Sequence, residues 1–128
     1  NSEMPCVFDR RFVAVMPERL DVDAMEQAAR YLMGQHDFAA FCGNAKMKKS
    51  TVRYIRDLTV TRQGNEVRIT VTGNGFLHNM VRILVGTLVE VGRGEREPDS
   101  IPQLFGGKRA ETGFLAPAQG LCLMEVYY

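Results

Sequence analysis

The chain has 128 residues, 45% hydrophobic and 24% charged, with a formal net charge of +1. That length suits one domain, residues 1–128, burying about two thirds of its unfolded surface. The composition is that of an ordinary soluble globular protein, and the near-zero charge excludes an overall pull toward nucleic acid.

Cys6, Cys42 and Cys122 form no CxxC pair, and His36 and His78 are the only histidines. No metal site built from Cys/His clusters is expected, and an odd set of well-separated cysteines suits reduced thiols in a cytoplasmic protein. There is no signal-peptide pattern. The chain does not begin with Met, so it is expected to be a fragment or a processed form.

Residues 1–20 read as a leading segment with two short β-prone runs, Val7-Phe8 and Phe12 to Val15, split by Asp9-Arg10-Arg11. Residues 20–34 read as a helix. Asp21 or Asp23 caps it, Met25, Ala28/Ala29 and Leu32 form its apolar stripe, and Gly34 closes it. In residues 35–42, Phe38 and Phe41 are three apart, as in one helical turn docked by its aromatics. His36-Asp37 is a conceivable acid/base pair, but adjacent residues seldom face one another on a helix, and a capping role for Asp37 is favoured.

Charge is unevenly spread. Residues 1–42 carry four basic and seven acidic side chains, residues 43–62 six and one, and residues 63–128 six and seven. The positive excess thus falls on the loop at 43–50 and the strand after it, either as an anion-binding patch or as a solvated loop. Alternation over 51–62 places Val52, Tyr54, Arg56, Leu58 and Val60 on one strand face. Gln63-Gly64-Asn65 is a turn, and residues 66–73 form the partner strand with Val67, Ile69 and Val71 inward.

Residues 73–92 are the longest apolar run. Phe76, Met80, Ile83/Leu84, Thr87/Leu88 and Val91 recur at helical spacing. Asn74 is a candidate N-cap and Gly92 a left-handed stop. This run is too short and too polar to span a membrane, which takes about 20 mostly apolar residues. Its polar minority, His78, Asn79, Arg82 and Gly86, shares one face. An arginine in the middle of the most hydrophobic segment needs a partner or a wet cleft, unless it snorkels from the edge of the buried stripe. Gly86 costs about 1 kcal/mol against Ala in a helix and signals close approach of another backbone or a ligand. Pro98 opens a short helix to Phe105, residues 106–113 are turn-rich, and residues 121–128 form a last strand. The order is α+β: a mainly antiparallel sheet with helices on one face.

Several of these stretches together resemble the TruA-type tRNA pseudouridine synthases. Residues 73–92 are similar to the family's signature helix. His36-Asp37-Phe38 with Phe41 resembles the segment before its basic loop, and Thr51-Val52-Arg53 the start of its hairpin. Arg109, Ala116-Pro117-Ala118 and Gly120-Leu121-Cys122-Leu123 resemble its closing motif. Leu115 departs from the pattern, where the family more often has Thr. The family has two similar halves facing across a cleft, with its nucleophilic Asp in an Arg-Thr-Asp motif of the first half. No Arg-Thr-Asp occurs here, so the resemblance is to the C-terminal half, which alone is expected to be inactive.

The resemblance implies isomerisation of uridine to pseudouridine at about positions 38–40 of the tRNA anticodon arm, once the base has left the stack. It implies no cofactor and no metal. Arg82 matches the arginine that pairs with the catalytic Asp, and Leu121 matches a residue lining the base pocket. Lys46, Lys48, Lys49 and Arg53 are candidate phosphate contacts, and His78 and Asn79 candidate cleft residues beside Arg82. The implied partners are tRNA and a second copy in a homodimer, without a membrane. The alternatives are a stand-alone RNA-binding module and a dimerisation domain.

Overall fold

The computed structural model describes residues 8–16, 20–42, 51–74, 76, 79–106, 112–113 and 121–127. Among these residues are five strands: β1 (Phe8–Met16), β2 (Gly34–Asp37), β3 (Val52–Gln63), β4 (Glu66–Asn74) and β5 (Leu121–Tyr127). They form one sheet in the order β2-β3-β4-β1-β5, antiparallel at every pairing. Two α-helices accompany it, α1 (Val22–Leu32) and α2 (Met80–Gly92), with 3-10 turns at Ala39–Phe41 and Pro98–Leu104. The class is α+β, as the residue pattern implies.

One face of the sheet is apolar. Ala14 is paired with Ile69, Ile69 with Val60, and Val71 with Leu58, and all five are buried. These side chains join Met25, Ala28, Ala29 and Leu32 of α1 and most of α2 in one core. On the opposite face Asp57, Thr59, Thr61 and Arg68 are exposed. Asp21 is the cap of α1, its Oδ1 accepting from Ala24 N at 3.2 Å. Its own N–H donates to Gly92 O at 2.9 Å, which ties the start of α1 to the end of α2.

The structure corrects several sequence-based expectations. The two β-prone runs near the start are one strand, β1, held between β4 and β5. Residues 34–37 are the edge strand β2, too short for its period to register in the sequence. Helix α2 begins at Met80, six residues after the expected cap. Residues up to Asn74 belong to β4, and Asn79 is the cap residue, in the left-handed conformation (φ 57°) that Asn tolerates better than most residues. Gly92 is the last helical residue and not the stop. A Cβ there would lie 2.6 Å from Met25 Sδ and 2.9 Å from Leu20 Cβ, so it is a contact glycine, and Gly94 (φ +80°) takes the left-handed position.

The alternation read over β3 also fails, at one point and for one reason. A β-bulge leaves Arg56 unpaired between Ile55, opposite Gly73, and Asp57, opposite Thr72. Before the bulge the faces are exchanged: Ile55 is fully buried, whereas Val52 and Tyr54 are 40% and 47% exposed.

Candidate functional site around Arg82

Of the 13 residues of α2, every one is buried except Arg82 and Glu90, which are half-buried. Glu90 is accounted for by an ion pair with Arg96 at 3.1 Å. Arg82 is thus the cation that the first two turns of this helix hold at a partly wet position. Asn79 is half-buried one turn before it, and its carbonyl accepts from Ile83 N at 3.0 Å. His78 lies outside the described residues.

A close backbone approach falls at Gly86-Thr87, and the glycine that it requires is Gly113. Residues 112–113 lie against this part of the helix. A Cβ on Gly113 would fall 2.6 Å from both Cα and N of Thr87 and 2.9 Å from the carbonyl carbon of Gly86. Gly113 N–H donates to Thr87 Oγ1 at 2.9 Å, and that hydroxyl donates to Ile83 O at 2.8 Å. Thr112 Oγ1 donates to Ala40 O at 2.9 Å, so the same two residues also fasten the 3-10 turn Ala39–Phe41. No local signal marks this docking, because Gly113 and Thr87 are 26 residues apart.

A second knot sits at the neck of the basic segment. Asp37 Oδ1 accepts from Ala39 N at 3.0 Å and from Thr51 Oγ1 at 2.5 Å. Phe38 N–H donates to Thr51 O at 2.9 Å, and Gly106 N–H to Asp37 O at 3.1 Å. His36 has separate partners: its Nε2 is 2.8 Å from Met33 O, and its ring stacks on Phe105 with centroids 4.0 Å apart. The pair is therefore no acid/base dyad; Asp37 ends β2 and its carboxylate takes the first N–H of the 3-10 turn, whose cap position is Phe38. Phe38 and Phe41 pack edge-to-face at 5.7 Å, as their spacing implies.

The neck brings residues 39 and 51 under one carboxylate, but Lys46, Lys48 and Lys49 between them lie outside the described residues. Arg53 is half-buried on β3 opposite His36, and its Nη1 donates to Val52 O at 2.7 Å. The backbone of Leu121 opens β5 opposite Ala14. Among the described residues no three His, Cys, Asp or Glu side chains are grouped to hold a metal ion, and no helix is long and apolar enough to cross a membrane.

Residues 28–128 match the tRNA pseudouridine synthase family, a span that includes all of α2, both knots and β5. Among curated relatives, a tRNA pseudouridine synthase A of Brevibacillus brevis is 46% identical over the whole chain, which covers 53% of that protein. One from Syntrophotalea carbinolica is 54% identical over 85% of the chain and 44% of its own length. One from Geotalea uraniireducens is 50% identical over 85% of the chain and 45% of its own length. The chain spans about half the length of the curated relatives it matches. With a family match covering most of its residues, the chain belongs to the tRNA pseudouridine synthases.

Proposed function

We propose that this chain is the C-terminal half of an enzyme that isomerises uridine to pseudouridine in the anticodon arm of tRNA. The observation that carries the reading is Arg82, a permanently charged side chain held half-buried on an otherwise buried helix. A guanidinium so placed suits a carboxylate presented across a cleft, which it keeps ionised and oriented. That carboxylate is the Asp of the other half. It attacks the nucleotide, the glycosidic bond breaks, the base turns, C5 bonds to the sugar as the carboxylate leaves, and C5 gives up its proton while N1 gains one. These steps call for neither metal nor cofactor. Asn79, one turn from Arg82, with His78 and Leu121 lines the pocket around the extruded base. Lys46, Lys48, Lys49 and Arg53 hold phosphates and position the RNA without reading its sequence. The assembled enzyme is a cytoplasmic homodimer.

The test is tritium release from C5-labelled uridine in tRNA, with this chain alone, with the upstream half added, and with full-length protein carrying Arg82→Ala. Turnover only when both halves are present, and its near-complete loss in Arg82→Ala with tRNA binding retained, are the expected results. Near-normal turnover of Arg82→Ala would remove the arginine from the mechanism. Binding without turnover in every sample would leave an RNA-binding module.

A further inference from the structure

The bulge in β3 acquires a role that rests on the RNA-modifying function proposed above. With unbroken alternation, Tyr54 would share the core face with Leu58 and Val60. The extra residue, Arg56, hands that place to Ile55, and Tyr54 emerges 47% exposed with Val52 beside it. An isolated exposed tyrosine is unremarkable on a protein surface. This one stands on a face that also carries two arginines, with the exposed carboxylate of Asp57 in line with one of them. Arg56 is exposed at the bulge itself, two residues along the strand. Arg11 lies on the same face two strands over and two residues along, roughly 12 Å away at about 4.8 Å per strand and about 3.4 Å per residue. It is paired with Thr72, and its Nε is buried with no acceptor among the described residues. The segment that ends in this strand, residues 43–62, has six basic residues against one acidic.

We propose that Tyr54 is a stacking platform for an unpaired base of the RNA, with Arg56 and Arg11 taking phosphates beside it. The occupant is single-stranded or looped RNA because the surface combines what that ligand presents: a flat π-face and a regular row of negative charges. A stacked ring accepts any base, so the contact adds affinity without sequence choice.

The experiment measures tRNA binding by the full-length protein over a range of salt concentrations. Tyr54→Phe keeps the ring and is expected to bind within about twofold of wild type. Tyr54→Ala is expected to weaken binding at least about fivefold at every salt concentration, with the salt slope unchanged, since stacking releases no counterions. Arg56→Ala is expected to lower the slope by about one. Tyr54→Ala that binds within twofold of wild type, while wild type binds and modifies tRNA, would overturn the platform and leave the enzyme reading intact. A changed oligomeric state with unchanged affinity would overturn it too, by making the face a protein interface. Failure of wild type to bind tRNA at all would overturn both.

Discussion

Gly113→Ala tests whether residues 112–113 are fastened to the helix that carries Arg82. The new Cβ would sit 2.6 Å from Thr87 Cα and N and 2.9 Å from Gly86 C. All three are backbone atoms of a helix buried on nearly every side, so the helix has nowhere to go and residues 112–113 must withdraw. Overpacking of this kind costs about 1–3 kcal/mol. Withdrawal also breaks the bond from Gly113 N–H to Thr87 Oγ1, and a buried donor left unsatisfied costs about 1–3 kcal/mol more. The two losses share one displacement and do not simply add, so about 2–4 kcal/mol is expected. With a urea m-value of about 2 kcal/mol/M, the unfolding midpoint falls by roughly 1–2 M. Gly92→Ala is the comparison. Its closest neighbour is Met25 Sδ at 2.6 Å, in an adaptable side chain, with Leu20 Cβ at 2.9 Å. It meets side-chain atoms and no backbone atom within that distance, so its loss is expected to be the smaller. A Gly113→Ala midpoint within about 0.3 M of wild type would refute the close packing.

Asp37→Ala removes the acceptor shared by Ala39 N–H and the Thr51 hydroxyl, and is expected to cost about 2 kcal/mol in chemical denaturation, with Asp37→Asn milder; equal stability of Asp37→Ala and wild type would argue against the knot. Tyr31 is held above the usual tyrosine range, chiefly by its hydrogen bond to Asp99, then by the Asp99 charge and by desolvation. A raised pKa in the folded state means that its stabilising contribution is present below pH about 10 and is lost as pH rises through the folded value. One of the four tyrosines is therefore expected to ionise late in an ultraviolet titration, and Tyr31→Phe to remove that phase; its persistence would assign the late phase elsewhere. Replacing Lys46, Lys48 and Lys49 by Ala is expected to weaken tRNA binding and lower the salt slope by up to about three. An unchanged slope would return these lysines to a solvated loop.

The α-helical core was legible because its signals are local. The stripe Met25, Ala28/Ala29, Leu32 and the Asp21 cap each lie within one or two turns, and both are as the pattern reads. The strands of the hairpin were legible for the same reason. What escaped depends on pairing. The side on which Tyr54 stands is set by a bulge against β4, and nothing in residues 52–56 marks Arg56 as the extra one. The residue pattern starts α2 too early because Phe76 extends the helical period by accident. In the fold Phe76 lies outside the helix, edge-to-face with Phe12 at 5.3 Å, doing for the sheet what the period assigned to the helix. Arg82 was singled out by being a charge in an apolar run, a signal that survives any shift in helix boundaries.

The packing around α2 explains why an arginine is tolerated there. The C-terminal end of the helix is locked by Gly92 against Met25 and Leu20 and by the bond from Asp21 N–H to Gly92 O. Its middle is locked by Gly113 on Thr87. Its N-terminal end is entered through the left-handed Asn79. A helix fixed at these points cannot rotate to bring Arg82 into full solvent, and the guanidinium cannot shed its charge when buried. Arg82 is therefore held half-buried and in contact with neighbouring groups, and in the reading proposed above the carboxylate of the other half joins those contacts. On that reading, a charge already positioned on a rigid element avoids an ordering cost at the moment of reaction. Gly113, which bears no reactive group, is therefore expected to affect the placement of Arg82 through its packing on Thr87.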